Sequence, residues 1–197
     1  MTGARGGRPL LEAVNVAYGP RPRNRSHALD MNGYLAEAKL AVVHVQKKTP
    51  LGTYNQIRDT TRQPLMLPFR IMMRGAQILR ENQEVAKLTP GASYERKIEI
   101  LAEAGKRGMS GNCSEMAAIA FLFLSDRGIR PLDYMCFNGK DHAFVILGRP
   151  AGSIAGDFSS WADKSVACDP LRGEAGIATQ LAVWWNYSKC ASLFRKE

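Results

Sequence analysis

The sequence contains no apolar run that approaches the roughly 20 residues required to cross a bilayer, which excludes a transmembrane helix. Its first 20 residues include arginines but no apolar stretch of signal-peptide length, so export by the general secretory route is not expected. Delivery by a specialised secretion system remains compatible with this composition. Apolar residues make up 45% and charged residues 23% of the chain, which excludes wholesale disorder and predicts a folded domain.

Cysteine and histidine are also scarce. The four cysteines are Cys113, Cys136, Cys168 and Cys190. They form no closely spaced pair, so the sequence predicts neither a zinc site nor any other metal site, and no cofactor. Four cysteines are too few for a disulfide scaffold in a chain of 197 residues. We therefore expect reduced thiols in a cytoplasmic, reducing environment.

Acidic residues are scarce in the first part of the chain. The formal net charge is +9, and residues 1–80 hold the whole excess, because residues 81–197 contain equal numbers of basic and acidic side chains. A basic segment favours an acidic partner or an anionic membrane surface, or it is simply a solvated basic face. Nucleic acid is not an expected partner, because the aromatic residues are not interleaved with the basic ones as a stacking platform. The oligomeric state is left open.

Composition and periodicity divide the chain into three regions. They are a mobile basic leader over 1–28, a basic helical region over 29–90 and a catalytic core over 91–197. Helical periodicity predicts helices over 31–47, 69–88 and 94–106, with a loop over 49–68. A further helix begins at Cys113 and is apolar on nearly every side, which requires burial.

Beyond Gly128 the pattern changes to strands. We predict strands over 132–137, 141–148 and 165–169, and Asn138-Gly139 indicates a tight hairpin between the first two. A loop is predicted over 149–160, and the tail from residue 173 to 194 is compatible with helix or strand. The predicted fold is α+β, with the helix that begins at Cys113 packed on a small antiparallel sheet.

Cys113 occupies a position that suits a nucleophile. Asn112 and Glu115 fit a helix capping box, which places Cys113 at the first helical position. The partial positive charge of a helix N-terminus favours the thiolate over the thiol. Gly111 would permit a substrate backbone to approach. The alternative is a small buried apolar residue at the start of a helix.

A nucleophilic thiol requires a base and a group that orients the base. Of the three histidines, His27 lies in the leader and His44 on the first predicted helix, whereas His142 begins a strand after a tight turn. Asp169 ends the next strand, from which it could reach the second ring nitrogen of His142. Asp141 is a rival, but its side chain alternates to the other face of the strand.

These segments resemble the transglutaminase-like branch of the papain-like thiol enzymes. The matching segments, in order, are G-N-C-S-E-M-A, L-S-D-R-G-I-R-P, D-H-A-F-V, Trp161 and A-C-D-P, and they cover residues 105 to about 175. The resemblance implies a papain-like/transglutaminase-like core. It also implies that Cys113 is the nucleophile, that His142 is the base and acid, and that Asp169 orients His142.

Two positions depart from papain-type proteases. Arg107 stands where those enzymes carry an oxyanion-stabilising glutamine, and Glu115 stands where they carry an aromatic residue. The oxyanion donors must then come from elsewhere, and the backbone N–H of Cys113 and the side chain of Asn112 are the candidates. Trp161 is expected either to wall or cover the substrate site or to lie in the core.

A Cys-His-Asp site attacks a carbonyl group and forms a thioester. The expected function is therefore thiol acyl transfer on an amide of a protein substrate, as a cysteine protease, a glutamine deamidase or a transglutaminase. Small thiol enzymes of this kind with a separate N-terminal region resemble bacterial effectors and toxins delivered into other cells. The competing hypothesis is a non-enzymatic basic binding module with a vestigial triad.

Overall fold

The computed structural model describes residues 29–53, 65, 67–88, 91–137, 142–185 and 190–197. The described helices are α1 (Met31–Lys48), α2 (Leu67–Ala86), α3 (Tyr94–Gly108), α4 (Cys113–Asp126) and α5 (Ala178–Trp185), with a 3₁₀ helix at Phe158–Lys164. The strands are β1 (Leu132–Phe137), β2 (Ala143–Leu147), β3 (Val166–Asp169), β4 (Glu174–Ile177) and β5 (Cys190–Lys196). The predicted leader, His27 and Asp141 lie outside the described residues.

The strands form one sheet in the order β4-β3-β2-β1-β5, and every neighbouring pair is antiparallel. The predicted hairpin pairing is confirmed, since Leu132 lies opposite Leu147 and Cys136 lies opposite Ala143. The predicted α+β class is confirmed as well.

The sheet lies between two apolar layers because successive strand residues point to opposite faces. One face packs against α1, α3 and α4, and its residues are Leu132, Tyr134, Val145, Leu147, Val166 and Cys168. The other face packs against the 3₁₀ helix and α5, and its residues are Met135, Phe137, Phe144, Ile146 and Ala167. The central helix α4 thus lies on the sheet, as its apolar sequence predicts.

Helix α1 belongs to the same core as α4. Asp30 caps it by accepting a hydrogen bond of 2.7 Å from the backbone N–H of Gly33. Its buried Glu37 accepts two hydrogen bonds from the guanidinium of Arg127, at 2.6 and 3.0 Å. This bidentate pair ties α1 to the end of α4, and Tyr34 adds a hydrogen bond of 2.6 Å to the carbonyl of Arg130.

Two glycines allow the start of α4 to be packed closely. A Cβ atom on Gly105 of α3 would lie 3.1 Å from both Glu115 Cβ and Ile119 Cδ1. A Cβ atom on Gly111 would lie 3.0 Å from Glu115 Cβ. The packing of Glu115 therefore gives Gly111 a structural role, and the approach of a substrate at this position stays a prediction.

The tail contains both helix and strand. Residues 174–177 form β4, α5 follows, and β5 pairs with β1 at the sheet edge. The β5 residues Ser192 and Arg195 each donate a hydrogen bond of 2.7 Å to the buried Asp133 of β1, which fixes the edge strand.

The predicted loop over 149–160 is interrupted by the 3₁₀ helix that begins at Phe158, where Asp157 accepts a hydrogen bond from the Ser159 N–H. Among the described helices, none is both long and apolar enough to cross a membrane.

Candidate active site

Three elements meet at one end of the sheet. His142 directly precedes β2, and Asp169 is the last residue of the neighbouring β3. Because Val145 lies opposite Cys168 in this antiparallel pair, the start of β2 and the end of β3 lie side by side. The N-terminus of α4, with Cys113 as its first residue, comes from the helical layer.

His142 and Asp169 are joined by a short hydrogen bond. Nε2 of His142 lies 2.7 Å from Oδ2 of Asp169, whose side chain is fully buried. The other carboxylate oxygen, Oδ1, accepts a hydrogen bond of 3.2 Å from the backbone N–H of Arg172. The Arg172 guanidinium is 3.6 Å from Oδ2. These contacts fix the carboxylate in the position from which it holds the imidazole.

His142 also forms a hydrogen bond with Cys113. Since Nε2 is occupied by Asp169, Nδ1 is the ring nitrogen left for the thiol. Burial lowers the pKa of His142, but the hydrogen bonds to Asp169 and Cys113 and the charges of both groups outweigh it and raise the pKa to about 9. The imidazolium is therefore the favoured form beside the sulfur at neutral pH.

Cys113 is nearly enclosed, whereas the histidine opens to solvent. Cys113 is 4% exposed and the His142 side chain 15% exposed. Tyr134 of β1 donates a hydrogen bond of 3.0 Å to the Ser114 carbonyl, which fixes the first turn of α4 relative to the sheet. Burial raises the pKa of Tyr134 well above its ordinary value, so its hydroxyl stays a donor.

Asn112 caps α4 with an unsatisfied side chain. Asn112 and Glu115 face one another as a capping box, and the backbone N–H of Asn112 donates a hydrogen bond of 3.0 Å to Glu115 Oε2. The Asn112 Oδ1 atom is buried, and no partner among the described residues meets hydrogen-bond geometry with it. The capping hydrogen bond that meets this geometry is therefore the one that Glu115 accepts.

An aromatic layer supports the imidazole. The rings of Phe137 and His142 are parallel to within 5°, with centroids 5.7 Å apart, and Phe144 stacks on Phe137 at 4.8 Å. The Phe137 N–H donates to the His142 carbonyl at 3.1 Å. Ring and backbone contacts together limit the orientations that His142 can adopt.

Trp161 is part of the core. Its side chain is fully buried in the cluster that contains Phe137 and Phe144, and its Nε1–H donates a hydrogen bond of 2.8 Å to the Ile154 carbonyl. A residue without exposed surface cannot cover a substrate, so the expectation of a wall or lid is wrong and the core alternative holds. Trp161 contributes by packing behind the aromatic layer.

The sequence interpretation missed Phe137 and Arg172. Phe137 directly precedes Asn138-Gly139, a dipeptide that predicts a tight hairpin, and such a hairpin places Phe137 across from His142. Arg172 follows Asp169 by three residues in an Asp-Pro turn, where an Asp side chain commonly accepts the backbone N–H. Both signals were present in the sequence.

The remaining histidine and thiols of the described chain have other surroundings. His44 stacks on Phe123 at 4.3 Å, and burial together with nearby lysines lowers its pKa to about 4. Burial raises the pKa of the thiols of Cys136, Cys168 and Cys190, to about 12 for Cys190. Within the described ranges, no group of three or more His, Cys, Asp or Glu side chains is placed to hold a metal ion.

Comparison with known proteins finds no family model, curated protein or solved structure that matches the chain.

Proposed function

We propose that the protein is a thiol acyl-transfer enzyme that attacks an amide of a protein substrate. The observation that carries the proposal is the chain of contacts at the end of the sheet. Asp169 holds Nε2 of His142 at 2.7 Å, and His142 in turn forms a hydrogen bond with Cys113 at a helix N-terminus. A nucleophile, a base and an orienting carboxylate in this order are the requirements for nucleophilic catalysis.

The first half-reaction follows from these positions. The Cys113 sulfur attacks the amide carbon, and the carbonyl oxygen takes the negative charge of the tetrahedral intermediate. The imidazolium of His142 then donates its proton to the leaving nitrogen, the C–N bond breaks, and a thioester with Cys113 is left. Asp169 keeps the ring in the orientation in which Nδ1 faces both the sulfur and the leaving group.

The second half-reaction returns the thiol. Neutral His142 takes a proton from an incoming water or amine, whose oxygen or nitrogen attacks the thioester carbon and displaces the sulfur. Water on a peptide thioester completes proteolysis, water on a glutamine-derived thioester completes deamidation, and an amine completes cross-linking. All three outcomes use the same Cys113 and His142.

Asn112 is the side chain best placed to stabilise the oxyanion. It adjoins Cys113 in the chain, and its Nδ2–H₂ group is a hydrogen-bond donor, as an oxyanion requires. The N–H groups at the start of a helix add their dipoles at the same point. We propose that the Asn112 amide and the Cys113 backbone N–H together form the oxyanion hole.

The arrangement supports the resemblance to transglutaminase-like members of the papain-like enzymes. The nucleophile begins a buried helix, the histidine directly precedes a strand, and the carboxylate ends the next strand. We propose on this basis that the chain has a papain-like core, and that it acts as an effector on proteins of another cell. The effector role rests on the likeness of its small size and basic N-terminal region to such proteins.

Selective alkylation tests the proposal. Iodoacetamide at neutral pH should modify Cys113 faster than the other three cysteines, because burial raises the pKa of their thiols. His142→Ala should slow the modification at least about tenfold by removing the hydrogen-bond partner and base of the Cys113 thiol. His44→Ala is the matched control, since its ring lies against Phe123 and should not affect the rate. Site-resolved mass spectrometry measures each thiol.

Equal rates at all four cysteines, or a His142 variant that reacts like the parent, would contradict the proposal and favour a non-enzymatic basic binding module. If Cys113 is selectively reactive, three assays on casein separate the reactions. New N-termini indicate proteolysis, ammonia release without amine uptake indicates deamidation, and incorporation of a labelled primary amine indicates transglutamination. Cys113→Ala is the blank for each.

A further inference from the structure

Helix α2 turns apolar side chains to the solvent. Ile71, Met72 and Leu79 are 55%, 62% and 65% exposed, and Phe69 and Ile78 are exposed as well. Residues seven positions apart share one side of a helix, so Ile71 lies above Ile78 and Met72 above Leu79. The four form a continuous apolar face, which we call the α2 apolar face.

The α2 apolar face points away from the rest of the domain. The contact of α2 with α3 is made from another side of the helix, where Met73 and Ala76 line a small cavity together with Ile100 and Ala104 of α3. Isolated exposed apolar residues are common on protein surfaces, but a contiguous apolar patch on a helix marks an interaction site.

The basic charge of α2 and of the N-terminal part of the chain indicates the kind of partner. The helix contains Arg70, Arg74 and Arg80, and its two acidic residues, Glu81 and Glu84, lie beyond them near its C-terminus. Residues 1–80 carry the whole formal net charge of +9, whereas the rest of the chain is neutral. Exposed aliphatic side chains combined with arginines on one helix are typical of segments that lie in the interface of an anionic membrane.

We propose that α2 docks on an anionic lipid bilayer, with the α2 apolar face inserted at the boundary between headgroups and acyl chains. The arginines and the basic N-terminal part of the chain supply the electrostatic attraction to lipid phosphates. This function goes beyond thiol acyl transfer and does not depend on it, because neither Cys113 nor His142 lies on α2.

Vesicle co-sedimentation of the full chain tests the proposal. The protein should sediment with vesicles of phosphatidylcholine mixed with phosphatidylglycerol, and only weakly with phosphatidylcholine alone. The triple variant Ile71→Ser, Met72→Ser, Leu79→Ser should partition into the mixed vesicles at least about tenfold less than the parent. Ile154→Ser is the matched control, since Ile154 is 65% exposed but lies far along the chain in a loop, and it should bind like the parent.

A second variant separates electrostatic attraction to the lipid from insertion of the α2 apolar face. Replacing Arg70, Arg74 and Arg80 by Gln keeps the α2 apolar face but should weaken binding to mixed vesicles and remove most of its salt dependence. Circular dichroism and the alkylation rate of Cys113 verify that each variant is folded.

Three results would overturn the proposal. They are no sedimentation of the parent with mixed vesicles, equal binding to neutral and mixed vesicles, and a triple variant that binds like the parent. Light scattering adds a fourth, because a dimer of the parent that the triple variant abolishes would assign the α2 apolar face to a second copy of the chain.

Discussion

The titration of His142 provides the most direct test of the site. Its pKa is raised from 6.5 to about 9, against the effect of burial, by Asp169 and then by Cys113. At about 1.4 kcal/mol per pH unit, this shift corresponds to roughly 3.5 kcal/mol in favour of the imidazolium. Proton NMR of the histidine ring protons should show one ring that titrates near pH 9, and His44→Gln identifies the ring that titrates near 4.

Variants of the partners should move this titration in a defined direction. Asp169→Asn removes the largest favourable contribution, so the His142 pKa should fall by more than about one unit. Cys113→Ala should lower it less, because the hydrogen bond to Asp169 is retained. A His142 pKa at or below its ordinary value of 6.5 in the parent would show that the contacts with Asp169 and Cys113 do not stabilise the imidazolium. That result would refute the proposed arrangement of the site.

The same shift connects stability to pH. Because the pKa is higher in the folded than in the unfolded chain, protonated His142 stabilises the fold fully below pH 6.5, and this contribution is lost as the pH rises through about 9. The free energy of unfolding in urea should therefore fall by up to roughly 3.5 kcal/mol between these limits. The fall should be smaller in Asp169→Asn, and an equal fall in that variant would assign the pH dependence to other groups.

Three further predictions concern other parts of the molecule. Asn112→Ala should lower kcat on the order of a hundredfold through the oxyanion while costing less than about 1 kcal/mol of stability, and an unchanged kcat would remove Asn112 from the site. Trp161→Phe should cost about 1–2 kcal/mol in urea unfolding and leave KM unaltered, whereas a raised KM would contradict its core position. Gly148→Ala should cost about 3 kcal/mol or more, because Gly148 has φ +74° and an added Cβ would lie 2.5 Å from Tyr34 Cε2. The matched control is Gly152→Ala, at φ +76° with open space around it, which should cost only about 1 kcal/mol in the same assay. Equal losses of unfolding free energy in the two variants would show that the Tyr34 ring moves aside to accept the added Cβ.

Local signals in the sequence were sufficient for most of the elements. The helix predicted over 31–47 is α1, the helix predicted over 94–106 is α3, and the strand predicted over 132–137 is β1, because each has a clear period and a capping or turn residue at its boundary. Helix α2 begins two residues earlier than predicted, at Leu67. The pairing of β2 with β3, which brings His142 to Asp169, was inferred only from adjacency in the chain.

What the sequence could not supply depends on contacts between distant segments. The tail segment 190–196 is a strand because it pairs with β1 and because its Arg195 reaches the buried Asp133. Trp161 lies in the core because the Ile154 carbonyl accepts its N–H and the sheet provides an apolar face. Neither contact leaves a periodic pattern in the local sequence, so local reasoning left the tail ambiguous and Trp161 undecided.

The candidate site is divided between the helical layer and the sheet, and this division determines at which stage of folding Cys113 can become reactive. Cys113 is presented by α4 in the helical layer, whereas His142 and Asp169 are presented by adjacent strands, and the three are separated by 29 and 27 residues along the chain. The imidazolium stands beside the sulfur only after the helix has packed on the finished sheet. An unfolded chain, such as one threaded through a narrow secretion channel, therefore carries an ordinary thiol and an ordinary histidine. Under the proposed function, folding itself would therefore assemble the reactive thiol.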